Sequence, residues 1–324
     1  MFFVGQNFIL IFTKCRPAVD FFHPQSYHKI KNIKGVYIMY NRKLCLGMME
    51  GFDMPYAEQV RLIKNAGFEA FFIDDCNRHA PVSELVALAK ELGMETPSYH
   101  APFNKSYEMW KLSGEGDIGR DGLLDCLEVC ARHEIPVMVT HAFIGYDDSV
   151  ASEEAGIERY GAVADRAEQL GITLALENTE GDEYLGVLMD AFRDKKSVGF
   201  CWDTGHEQCY NYGRDMTELY GDRLVCTHLN DNLGVSDFSG VRTWHDDLHL
   251  LPFDGITDWD SVAKRLVKAG YGAPLSFELS ITSKPGRYDN DIYRKMKPEE
   301  YFAAAYNRAC RVAALVKKYE SEEK

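Results

Sequence analysis

The chain has 324 residues, 46% hydrophobic and 27% charged, with a net charge of −14. That is enough chain to bury a large α/β core, and the composition is that of a soluble globular protein. The acidic balance argues against nonspecific nucleic-acid binding and against anionic membrane surfaces, both of which select basic patches.

Met1–Phe12 is apolar, but it lacks a basic leading region and a small-residue cleavage site, and it is too short to span a bilayer. Residues 1–41 carry no helix or strand period, so they read as an extension outside the core, with Met39 as the expected start. No other apolar run approaches membrane length. Nine cysteines show no finger-type metal spacing, and Cys45, Cys201 and Cys226 fall inside strand-like apolar runs. They read as reduced core residues of a cytoplasmic protein.

From Lys43 onward the pattern alternates strand, loop and helix. Lys43–Met49 is the first expected strand, followed by a helix over Tyr56–Ala66 that Gly67 stops. Phe68–Ile73 is the second strand, Val82–Leu92 its helix, and Thr96–His100 the third strand. A loop over Ala101–Gly119 precedes a helix over Arg120–His133 and a fourth strand, Ile135–His141. A long helix, Ala151–Leu170, leads to the fifth strand, Ile172–Glu177. Glu183–Phe192 is helical, and Val198–Asp203 is the sixth strand. After a short helical stretch ending near Tyr220 comes Leu224–His228, the seventh strand, and then a long loop over Leu229–Thr257. Asp258–Ala269 is helical, Leu275–Glu278 is the eighth strand, and Pro298–Lys318 closes the chain as a helix.

Most of these helices end at glycine, as expected of left-handed C-terminal caps. Eight strand–helix units predict right-handed parallel crossovers closed into a single (β/α)8 barrel over residues 42–324. An open doubly wound sheet would place a glycine-rich phosphate turn after its first strand. The residues there are Glu50-Gly51-Phe52-Asp53, without that pattern.

Strands three to eight end on His100, His141, Glu177, Asp203, His228 and Glu278, and a barrel gathers its strand ends at one mouth. Each has an ordinary excuse; Asp203, for example, reads equally as the N-cap of the next helix with His206 in its first turn. Six in succession are hard to reach by chance. Glu177, Asp203, His228 and Glu278 make an oxygen-rich set with one imidazole, suited to Mn, Mg or Co, and to Zn if more imidazoles join. In the long loop Asp247 and His249 are alternate residues that an extended segment can point the same way, as additional ligands or as plain loop polarity.

The segments SYHAPF, VTHAF, ALENTEG, CWDTGH, THLNDN, DLHLLPFDG and SFELS, in this order, resemble the xylose-isomerase-like barrel superfamily of sugar isomerases, ketose 3-epimerases and apurinic-site endonucleases. The epimerase branch implies Glu177, Asp203, His228 and Glu278 as metal ligands, with His206 contacting the substrate. The endonuclease branch implies three zinc ions on His100, His141, Glu177, Asp203, His206, His228, Asp247, His249 and Glu278. Against that branch, residues 230–257 carry five aspartates and a single arginine, Arg242, where DNA phosphates call for cations.

The favoured expectation is a divalent-metal-dependent sugar isomerase or epimerase in which Glu177 and Glu278 exchange protons next to a carbonyl. The ion would be Mn ahead of Mg, Co or Zn, and the ligand a small carbohydrate or glycoside. Trp110 and Trp244 are expected to stack on the substrate, although Trp244 serves equally as a loop anchor. An alternative is a lyase that cleaves C-glycosides with His141 or another mouth histidine as base, working with a small partner subunit. The assembly is open, a homo-oligomer included. No compact run of arginine and lysine marks a phosphate pocket, though Lys284, Arg287 and Arg294 after the eighth strand could supply one.

Overall fold

A computed structural model describes residues 42–49, 51–75, 80–144, 151–236 and 244–322. The expected extension over 1–41 and the expected start at Met39 lie outside the described residues. Eight strands form one parallel sheet: β1 (Leu44–Gly47), β2 (Ala70–Asp74), β3 (Ser98–His100), β4 (Val137–His141), β5 (Thr173–Glu177), β6 (Val198–Asp203), β7 (Leu224–His228) and β8 (Leu275–Phe277). The pairing order runs β7-β6-β5-β4-β3-β2-β1-β8. Leu229 N donates to Ser276 O at 2.8 Å and Glu278 N to Leu229 O at 3.3 Å, which joins the two end strands and closes the ring.

Between the strands lie α1 (Tyr56–Ala66), α2 (Val82–Leu92), α3 (Gly114–His133), α4 (Glu153–Leu170), α5 (Asp182–Ala191), α6 (Thr204–Cys209), α7 (Met216–Tyr220), α8 (Trp259–Lys268), α9 (Asp291–Arg294) and α10 (Pro298–Glu322). Gly67 and Gly93 close α1 and α2 with positive φ, and Gly171 closes α4 likewise. The expected (β/α)8 barrel is the fold. No helix among the described residues is long and apolar enough to cross a membrane.

Register determines what faces the mouth. Successive residues of a strand alternate sides, and partners on neighbouring strands share a side. His141 pairs with Glu177, Glu177 with Cys201, Cys201 with Cys226, and Asp203 with His228. A layer holding Asp203 and His228 therefore sits directly above one holding Cys201 and Cys226. Below them Val139 and Ala175 continue the packed interior, as expected of a barrel that is a core and not a pore.

Candidate metal centre at the barrel mouth

Donor atoms of Glu177, Asp203, His228 and Glu278 all lie within 4.8 Å of one another. Glu177 is the hub. Its Oε1 is 2.8 Å from His228 Nδ1 and 3.5 Å from His206 Nδ1, and its Oε2 is 3.1 Å from His100 Nε2 and 3.4 Å from His141 Nε2. The capping reading of Asp203 holds. Its Oδ1 accepts from His206 N at 2.6 Å at the start of α6, and its Oδ2 accepts from Asn230 Nδ2 at 2.8 Å.

His206, Asp247 and His249 form a second donor group. Asp247 Oδ1 stands 2.8 Å from His249 Nε2 and 3.4 Å from His206 Nε2, while Oδ2 is 3.4 Å from Lys284 Nζ. His249 has φ 49°, in the left-handed region, where a non-glycine residue costs roughly 1–3 kcal/mol and is kept by its surroundings. Here the surroundings are Asp247 on one ring nitrogen and the Glu278 carbonyl on the other.

Three of the histidines share one device. A backbone carbonyl can only accept, so a ring nitrogen that meets one must carry the proton. His100 Nδ1 donates to Ala101 O at 2.9 Å, His206 Nδ1 to Asn178 O at 3.0 Å and His249 Nδ1 to Glu278 O at 3.2 Å. When neutral, each ring then presents an unprotonated Nε2 to a carboxylate, the orientation a metal donor needs. His228 is turned the other way. It presents Nδ1 to the carboxylates, and its Nε2 is buried without a hydrogen-bond partner.

The electrostatics follow from burial and these contacts. Burial raises the Glu177 carboxyl, but His228, His100 and His141 outweigh it and hold the group well below the usual carboxylate range. Burial pushes Asp203 up to about 7 against the pull of His206 and His249. On Glu278 burial loses to His228 and His249, and the carboxyl stands at about 2. Burial drives His141 down to about 4, whereas Asp247 and Glu278 overcome burial at His249 and raise it to about 9. Interleaved carboxylates and imidazoles, mostly lacking solvent, are the donor chemistry that a divalent cation completes.

Above the donors opens a cavity of about 580 Å³. Its walls include His100, His141, His206, Asp247, His249 and Glu278, with Met49, Phe103, Tyr210, Trp244 and Lys284 among the others. Trp244 lines it and is 44% exposed, with His245 edge-on at 4.4 Å and Lys284 Nζ 5.5 Å from its ring. Trp110 is fully buried behind the barrel, donating from Nε1 to Ala142 O at 2.8 Å and packing on Tyr160 and Tyr184, so the stacking expected of it is corrected to a core role.

Of the three basic residues, Lys284 reaches the cavity but is paired with Asp247. Arg287 is held by Asp246 and Asp289, and Arg294 is exposed on α9. The acid tally set against DNA also changes. Asp231 is buried and accepts from Phe253 N, Thr257 N and Trp259 Nε1; Asp246 and Asp254 pair with Arg287 and Arg308. Asp237 and Arg242 lie outside the described residues.

Sequence reasoning passed over Asn178 and Asn230. Asn178 Nδ2 donates to Asp203 O at 2.9 Å and its Oδ1 accepts from Asp203 N at 2.8 Å, clamping the end of β6 to β5. Asn230 sits against Gly205, where a Cβ would come within 1.9 Å of its Oδ1, so only glycine fits there. Their signal was present in the ENT and HLND strings, each two or fewer residues past a strand-end donor.

The sequence matches the family described as Xylose isomerase-like TIM barrel over residues 50–301. It is 28% identical over 270 residues, 77% of this chain and 80% of the other, to the uncharacterised protein y4fM of Sinorhizobium fredii. It is 31% identical over 131 residues, 33% of this chain and 46% of the other, to a probable endonuclease 4 of Methanocorpusculum labreanum. Among solved structures it is similar to a D-psicose 3-epimerase with D-tagatose from Clostridium cellulolyticum H10. That likeness has a TM-score of 0.64 at 15% identity, covering 85% of this chain and 99% of that one, and it bears on the fold alone. With the family match spanning most of the barrel, the chain belongs to the xylose isomerase-like TIM-barrel family.

Proposed function

We propose that this protein is a divalent-metal-dependent sugar isomerase or epimerase that moves a proton on the carbon next to a carbonyl. The observation that carries the reading is the group of Glu177, Asp203, His228 and Glu278, the last of which lines a cavity that Trp244 also lines. Those four residues would hold the ion. When bound, it supplies electrostatic stabilisation of the charge that develops on the substrate oxygens, and Mn, Mg or Co suits the oxygen-rich set.

The chain's own residues do the rest. Glu278 lines the cavity and Glu177, buried in the same donor group, comes from β5, three strands round the ring, so the two carboxylates would approach the ion and its ligand from different sides. Two such groups permit removal of a proton from one face and delivery to the other, which is epimerisation; one group shuttling on a single face gives isomerisation. Trp244 and Tyr210 cover the ligand and exclude water, and His206, fixed by Asn178 O, offers a substrate oxygen its Nε2 edge.

A second reading, an apurinic-site endonuclease, has one specific observation in its favour. All nine donors implied by that branch lie in the clusters described above, and a probable endonuclease 4 is among the relatives. Metal analysis separates the two. About one divalent ion per chain, with solvent deuterium entering a ketose under NMR, supports the isomerase or epimerase. Three zinc ions that survive dialysis, with incision of abasic DNA, support the endonuclease and overturn the first reading. Turnover of free ketoses without a partner subunit sets the isomerase apart from a C-glycoside lyase.

A further inference from the structure

The ring of His228 is fixed on three sides. Phe72 stacks on it at 4.8 Å between centroids and 18° between planes, and His100 stacks at 5.5 Å and 23°. Nδ1 faces Glu177 Oε1 at 2.8 Å and Glu278 Oε2 at 3.2 Å. The remaining edge carries Nε2, which is buried and has no hydrogen-bond partner among the described residues. Histidines that hold metals ordinarily donate this second N–H to a carboxylate or a carbonyl, as His100, His206 and His249 do here.

Two thiols stand close to His228. Cys226 precedes it by two residues on β7 and so points to the same side of the strand, and Cys201 is the register partner of Cys226 on β6. Both thiols and a ring nitrogen of His228 lie within 4.8 Å of one another, and all three residues are buried in the barrel interior. Packing alone explains small side chains at these positions. It does not explain two sulfurs beside an imidazole whose second nitrogen has no hydrogen-bond partner; His141 Nδ1 is also buried without one, but no thiol among the described residues is grouped with it.

We propose that Cys201 and Cys226 are positioning residues for His228: a sulfur receives the Nε2–H, and this contact fixes the ring so that Nδ1 serves as the donor toward Glu177, Asp203 and Glu278. This inference rests on the metal reading of the same site. Its consequence is that ion affinity depends on two side chains that touch neither ion nor substrate.

The test compares the double variants C201A/C226A and C201S/C226S with the wild type, by calorimetric titration with Co²⁺ and by NMR of the His228 Nε2 proton. The alanine pair removes the acceptor, and it should weaken Co²⁺ binding by about 10–100-fold, the usual effect of losing the group behind a metal-bound histidine. The serine pair restores an acceptor and should bind within a few-fold of wild type, with the Nε2 proton signal again displaced from its position in the alanine pair. Unchanged binding in a folded alanine pair overturns the proposal. A serine pair as weak as the alanine pair also overturns it, because the loss is then one of packing. If the alanine pair does not fold, the wild type decides, since an unprotonated Nε2 in the loaded protein rules the contact out. A wild type that takes up no divalent ion sinks the metal reading instead. The thiol contact is then judged by whether the Nε2 proton shifts between wild type and the serine pair.

Discussion

His228 Nδ1 lies 2.8 Å from Glu177 Oε1 between two fully buried side chains two strands apart. Glu177 sets both its oxygens against histidines, so it ties β5 to β7 and to β3. In Glu177→Gln and Glu278→Gln each side chain keeps an oxygen but loses the proton acceptor. Both variants should retain much of their metal, by elemental analysis, and lose turnover by roughly 10²–10⁴-fold. Near wild-type epimerisation in both would leave His141 or His100 as the base.

The proposed ligand role of Asp203 and its capping role separate by substitution. Asp203→Ala removes the acceptor of His206 N and should cost about 1 kcal/mol in chemical denaturation, besides abolishing ion binding. Asp203→Asn keeps a capping oxygen, so its denaturation midpoint should stay near that of the metal-free wild type while ion binding is still lost. If both variants load metal normally, the four-residue group is not the binding site.

The two tryptophans should behave oppositely. Trp110→Ala empties a fully buried site and should cost about 3–5 kcal/mol of stability. Gly156 packs so closely that a Cβ there would meet the Trp110 ring at 2.3 Å. Trp244→Ala should leave the melting temperature nearly unchanged and raise KM. A stability loss from Trp244→Ala as large as that from Trp110→Ala would return Trp244 to loop anchoring.

Why Trp110 misled is instructive, because its partners are remote in sequence. Its burial depends on Tyr160 and Tyr184, which no local pattern connects to it. The start of α3 escaped notice for the same reason. Gly114–Gly119 reads as a loop, yet α3 begins at Gly114, and at Gly116 a Cβ would come within 2.6 Å of Glu108 O, so close packing explains the glycine. The strands were legible because period, bounding residues and end donor are all local. Val198–Asp203 and Leu224–His228 are found with the bounds expected of them. The imidazole orientations were not legible, since they depend on carbonyls such as that of Asn178, supplied by another strand end.

Ion uptake should release protons, and the direction follows from the groups themselves. In the metal-free protein Asp203 stands at about 7, raised from its ordinary value by burial, so below neutrality it holds a proton that an ion must displace. His249 stands at about 9, raised by Asp247 and Glu278 against burial, so its Nε2 competes for a proton across the neutral range. Glu177 and Glu278 are held low by their imidazoles and are already ionised, so they release nothing. His228 is raised well above its ordinary value against burial by Cys201, Glu177 and Glu278, so it too holds a proton that an ion on Nδ1 must displace. Affinity at the carboxylate group should therefore fall about a hundredfold per pH unit below 7, one proton leaving Asp203 and one His228, and about tenfold per unit just above it, where only His228 still holds its proton. Any ion at the His206–Asp247–His249 group should keep gaining affinity up to about pH 9. Calorimetric titration with Mn²⁺ in buffers of different ionisation enthalpy measures the protons released at each pH. About two protons released near pH 6 and about one near pH 8 is the expected result for an ion on the carboxylate group alone. Clearly more than one proton released at pH 8 would place the ion, or a second one, on the two histidines. Only one proton released at pH 6 would mean that Asp203 is not a ligand.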